Sequence, residues 1–141
     1  ILKPDTWVAA AVWSAPEKNP YLKIPIDCIK QFVDLPPPDP TAPGIFRLAK
    51  PGELASMLEQ ASLANISEQE FLGDVRFAAA DDYFSSLMDI AAPIQNLWAK
   101  LSAAQQTEAK QRIIQTSGQY RKGTAIALPI AVRIVAARKP G

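Results

Sequence analysis

The chain has 141 residues, fifteen basic and fourteen acidic side chains for a net charge of +1, one cysteine and no histidine. Hydrophobic residues at 48% and charged residues at 21% give a globular composition, enough for one compact domain and well outside the disordered class. Histidine-based triads, bases and metal ligands are excluded, as are an internal disulfide and multi-cysteine metal sites, and no basic block points to nucleic acid.

No apolar run approaches the ~20 residues of a membrane helix. Lys3-Pro4-Asp5 interrupts the N-terminus where a secretory signal needs an apolar core, so the expectation is a cytoplasmic chain with no membrane span. The opening Ile1-Leu2 has no polar lead-in and reads as the end of an element begun upstream.

Trp7 to Trp13 is a continuous apolar run between Pro4-Asp5 and Ser14-Ala15-Pro16, the pattern of a strand buried on both faces inside a parallel sheet. Ile26, Ile29, Phe32 and Val33 recur at helical spacing and predict a short helix with Pro25 in its first turn. Five prolines in residues 36 to 44 predict an extended surface connection, a stiff spacer or else a ligand for a proline-recognition domain.

A second helix is predicted with Pro51 near its first turn and Leu54, Met57, Leu58 and Ala61 on one face. Ile66, Glu68 and Glu70 then alternate with Ser67, Gln69 and Phe71 as a strand, with Gly73 marking a turn or bulge. Residues 80 to 120 read as helical. Phe84, Leu87, Met88 and Ala91 form a stripe that Pro93 breaks, and Ile94, Leu97, Trp98 and Leu101 form another. Ser102-Ala103-Ala104-Gln105 has the pattern of a capping box opening a polar helix that carries Ile113, Ile114 and Tyr120. From Ala125 to Arg138 the even positions Ile126, Leu128, Ile130, Val132 and Ile134 are all large and apolar, a period-two strand.

Four segments carry a resemblance. Leu2-Lys3-Pro4-Asp5-Thr6-Trp7 stands where one family has a Leu-Lys-Pro-Gly-Gly-type turn before its fifth strand. Met57-Leu58-Glu59-Gln60-Ala61-Ser62-Leu63 stands where it has a helix end of the Leu-Leu-Xaa-Xaa-Ala-Gly-Phe type, and Val132 to Lys139 looks like its last antiparallel strand. Val12-Trp13-Ser14-Ala15-Pro16-Glu17 looks like the strand outlet of a branch often labelled ubiquinone/menaquinone-biosynthesis-like. In order and spacing the chain resembles the C-terminal portion of a class I S-adenosylmethionine-dependent methyltransferase. Asp5-Thr6 and Ser62 depart from it, because glycine is the family's residue there.

The resemblance implies an α/β chain: the C-terminal part of a Rossmann-like methyltransferase fold, with two strands around a central antiparallel one. Residues 1–141 would form one acceptor-side domain and 80–120 a helical insert or lid. None of the six glycines makes a Gly-rich loop between a strand and a helix, so the loop that binds S-adenosylmethionine and the first four strands would lie upstream.

The implied activity is methyl transfer from that cofactor to a small-molecule acceptor by the full enzyme. The protein's share of that work is to hold the acceptor in line and exclude water. Ligands of open α/β sheets bind outside the carboxyl ends of the strands, so Trp13 is the candidate acceptor-pocket wall, or else a core tryptophan capping the sheet. Tyr21, Phe46, Tyr83, Phe84, Met88 and Trp98 are candidates to line a hydrophobic lid, the alternative being plain core.

Asp81 and Asp82 read as first-turn helix charges, Glu68 and Glu70 as a solvated pair, and Cys28 as a buried, inert thiol. The expected partner is either the missing N-terminal half or a second copy joined through residues 7 to 13. The competing function is a non-catalytic module that holds a hydrophobic ligand or a partner protein.

Overall fold

A computed structural model describes residues 2–37, 39 and 42–141; part of the proline segment, at Pro38, Pro40 and Thr41, lies outside them. The sheet contains β1 (Trp7–Trp13), β2 (Ala64–Phe77), the two-residue β3 (Arg121–Lys122) and β4 (Ala125–Arg138). Its order is β1-β4-β2, with β3 paired to the start of β4. β4 runs antiparallel to both neighbours, so β1 and β2 are parallel to each other.

The long period-two run makes β4 the central strand. Ile126 and Leu128 are buried on one face, and Arg133, Val135 and Ala137 on the other. In register with that second set lie Val8, Ala10, Val12, Glu68 and Glu70. This face carries α2 (Glu53–Gln60), whose preceding Gly52 N–H donates to the Glu68 carboxylate at 3.0 Å. The opposite face presents Trp7, Ala9, Ala11, Trp13, Val132, Ile134 and Phe71.

Two expectations for the strands are corrected. β1 is not buried on both faces: its burial alternates, and Trp7 is 58% exposed. Among the described residues its only strand partner is β4, and Trp7 lies at the end of the open face away from the helices. Gly73 marks neither a turn nor a bulge, since it pairs with Ile130 in regular register; the irregularity falls between Ala64 and Ser67, and the strand continues to Phe77.

The remaining helices are α1 (Pro20–Ile29), α3 (Ala80–Ile90), α4 (Ala92–Trp98) and α5 (Ala103–Ser117). The expected capping box opens α5, with Ser102 and Gln105 exchanging hydrogen bonds. α1 starts at Pro20, ahead of the predicted Pro25, and ends before Phe32 and Val33. Pro25 therefore sits inside it and offers no N–H to the Tyr21 carbonyl four residues back. The Tyr83 hydroxyl donates to that carbonyl instead, at 2.7 Å and out of water. A helix that local rules would end is completed from α3.

α1 also enlarges the helical layer beyond residues 80 to 120. Tyr21, Ile29, Tyr83, Leu87, Ile94 and Ile113 share one core with Ile126 and Leu128, over the end of the sheet where β4 begins. Among the described residues no helix is long and apolar enough to cross a membrane.

Of the three positions where the resemblance calls for glycine, Asp5 and Ser62 adopt left-handed backbone, at φ 61° and φ 62°, and Thr6 does not. Past the end of α2, the Ser62 N–H donates to the Glu59 carbonyl and the Leu63 N–H to the Leu58 carbonyl, a Schellman closure around a residue that carries a side chain. Ser62→Gly is expected to raise stability by about 1 kcal/mol in denaturant unfolding, since glycine enters that region without steric cost. An unchanged midpoint would show that Ser62 bears no strain.

Candidate functional site

The carboxyl end of β1 is the best-built polar region of the chain. β1 closes its ladder with the Ser14 N–H donating to the Ala131 carbonyl at 2.9 Å. The Ala131 N–H donates in turn to Asn19 Oδ1 at 2.8 Å, and Asn19 Nδ2 returns to the carbonyls of Ala131 and Ser14. Asn19 is fully buried, so its amide continues the strand pairing after the main chain has turned away towards α1.

Beneath the same outlet, Ser14 Oγ donates to Glu70 Oε1 at 2.6 Å and Lys18 Nζ donates to both Glu70 oxygens at 3.0 and 2.8 Å. Arg133, 8% exposed, lies between the two glutamates, with Nε 3.2 Å from Glu68 and Nη2 3.5 Å from Glu70. Two cations thus face two carboxylates, which allows these charges to sit against the sheet. The solvated-pair expectation for Glu68 and Glu70 is corrected: the register aims both at Arg133 on the neighbouring strand and under α2.

Hydrogen bonds from Lys18 first and Ser14 second, with the nearby Arg133 charge, hold the Glu70 carboxyl below the usual glutamate range. A lowered folded pKa contributes stability that is complete above the unfolded value and is lost as pH falls through the folded one. The gap in Tm between wild type and Glu70→Gln should therefore be widest at neutral pH and narrow below about pH 4. A gap that stayed constant with pH would deny Glu70 this role.

Sequence reasoning missed Asn19 and Arg133. The available signals were weak: an asparagine before the helix-starting Pro20, and one arginine interrupting the apolar β4 run.

The seven aromatic and apolar candidates are not brought together at one surface. Trp13 is half-buried at the end of β1 and packs against the helical core. Tyr21 and Tyr83 are core residues, in contact with each other and with Phe77 at ring-centroid distances of 5.4 to 6.2 Å. Burial and the neighbouring Tyr21 push the Tyr83 phenol far above its ordinary range, which suits a permanent hydrogen-bond donor. Phe84 packs edge-on against Trp98 at 5.1 Å, with the Lys110 ammonium over its ring. Met88 is half-buried against the same core, and Phe46 lines a groove beside the proline connection.

Asp82 accepts the Ala79 N–H at the start of α3 and Asp81 pairs with Lys110, as first-turn charges do. Cys28 is a free, buried thiol whose pKa burial raises.

Only Gly52 and Gly123 among the glycines have left-handed backbone; Gly52 precedes α2 without following a strand, and Gly123 lies in the β3–β4 turn. Among the described residues, no group of three acidic or thiol side chains is placed to hold a metal ion.

The chain is thus an α/β protein with an open sheet of antiparallel neighbours, α2 on one face and a helical layer over one end of the other. No family model matches the sequence, and no curated protein matches it.

Proposed function

We propose that this chain is the acceptor-side part of an S-adenosylmethionine-dependent methyltransferase, with the cofactor held by polypeptide outside this sequence. The observation that carries the reading is the sheet order. β4 lies reversed between two parallel strands, β1-β4-β2, the arrangement expected of the family's fifth, seventh and sixth strands. Left-handed Asp5 and Ser62 add support, because each keeps the backbone for which the family uses glycine.

The two outer strands differ in a way that fits. β2 carries Glu68, Glu70, Asp74 and Arg76 and an irregular start, the features of a strand that ends a sheet. β1 carries no charge, no proline and no bulge, the features of a strand meant to have neighbours on both sides. In this reading a small-molecule acceptor lies beyond the carboxyl end of β1, near Trp13, with the helical layer beside it.

The test is twofold. Calorimetry on this chain alone should detect no S-adenosylmethionine affinity better than about millimolar, and the coding sequence upstream should hold a strand, a Gly-rich loop and a helix. Micromolar binding by this chain, or an initiator codon directly before Ile1, overturns the proposal. The second reading, a non-catalytic module for a hydrophobic ligand or partner, draws on the closed helical core, in which Tyr83, Leu87, Ile94 and Ile113 are fully buried without further polypeptide.

A further inference from the structure

α1 begins at the Asn19 clamp and carries the chain about 15 Å away from the β1 outlet. At its far end lies a groove of about 1080 Å³ between the residues after α1, the approach to α2 and the turn after α4. Val33, Leu35 and Phe46 supply apolar wall, while Lys30, Lys50 and Lys100 reach the groove from three separate segments.

The charges there are unbalanced. Of the acidic residues in the wall, Glu53 is paired with Arg47, which leaves Asp34 and Asp39 against three lysines, a surplus of one positive charge. None of the three exposed lysines is in an ion pair among the described residues. Like charges converging on one concave surface raise the local concentration of anions, and apolar walls add affinity for an anion with a hydrocarbon body.

We propose that this groove binds an amphiphilic carboxylate, its chain or ring against Val33, Leu35 and Phe46 and its head among Lys30, Lys50 and Lys100. The site does not depend on the methyltransferase reading and lies away from the strand ends where that reading sets the acceptor.

The experiment titrates decanoate, decanol and decyltrimethylammonium separately into the whole chain at neutral pH, followed by amide chemical shifts. Decanoate should bind about tenfold tighter than decanol, with shifts centred on residues 30 to 35 and 46 to 50. The ammonium compound should bind weakest. The triple variant Lys30→Gln, Lys50→Gln, Lys100→Gln alters only exposed side chains and should bring decanoate to the affinity of decanol. Equal binding of decanoate and decanol by the wild type, shifts centred on Trp7, Trp13 and Phe71, or a triple variant that keeps the preference would each overturn the proposal.

Discussion

Tyr83→Phe is expected to cost about 2 kcal/mol although it keeps the whole ring, and most of that cost should vanish when Pro25 is also replaced by alanine. The ring contacts with Tyr21 and Phe77 survive the change, so what is lost is the hydroxyl bond to the Tyr21 carbonyl. That carbonyl is orphaned because Pro25, inside α1, has no N–H to give it, and the site is closed to water. Pro25→Ala restores a helical donor. In that background Tyr83→Phe should cost under about 1 kcal/mol, and the cycle should show a coupling of about 1 kcal/mol or more. Denaturant unfolding of the four proteins measures it. A cost that is the same with and without Pro25 would mean that the hydroxyl contributes nothing to the proline site.

The second large effect concerns the free edge of β1. The Ser14 N–H bonds Ala131 of β4 and the Thr6 carbonyl bonds Lys139 just past its end, so the backbone groups of the even residues of β1 face that strand and the amides of Trp7, Ala9, Ala11 and Trp13 point outward. The run Trp7-Val8-Ala9-Ala10-Ala11-Val12-Trp13 reads the same in both directions. An antiparallel partner centred on Ala10 would set each tryptophan against a tryptophan and each valine against a valine, an isologous pairing. By itself the chain is therefore expected to self-associate through β1 as its concentration rises. Ala9→Pro should weaken that association at least about tenfold, because it removes an outward N–H and no bond to β4. Sedimentation across a concentration series decides the matter, together with hydrogen exchange at the four outward amides. A monomer at every concentration with those amides exchanging freely, or association unaffected by the proline, would remove β1 as an interface. Under the methyltransferase reading this same edge receives the neighbouring strand of the complete sheet.

Local pattern was sufficient where one periodicity ran long enough. The alternation from Ala125 to Arg138 marked β4 to the residue, and Ser102 with Gln105 marked the start of α5, because both signals depend on near neighbours in the chain. The order of the outer strands also followed, through the resemblance, from motifs along the chain rather than from physics alone. Composition and spacing could not say which aromatic residues are core, since Tyr21 and Tyr83 have the same apolar pattern as a pocket wall.

The rest required partners distant in sequence. Pro25 marks a helix start by local rules and becomes a helix interior only because a hydroxyl 58 positions further on meets the carbonyl it leaves unpaired, 2.7 Å away. Glu68 and Glu70 look solvated until pairing with β4 aims them at Arg133, and Asn19 acquires its role only where it meets Ala131. A chain by itself determines which segments can be strand or helix, because those preferences are set within a few residues. Which polar groups are removed from water, and what compensates them, is decided by tertiary contact, because burial belongs to the assembled layers and not to any one segment.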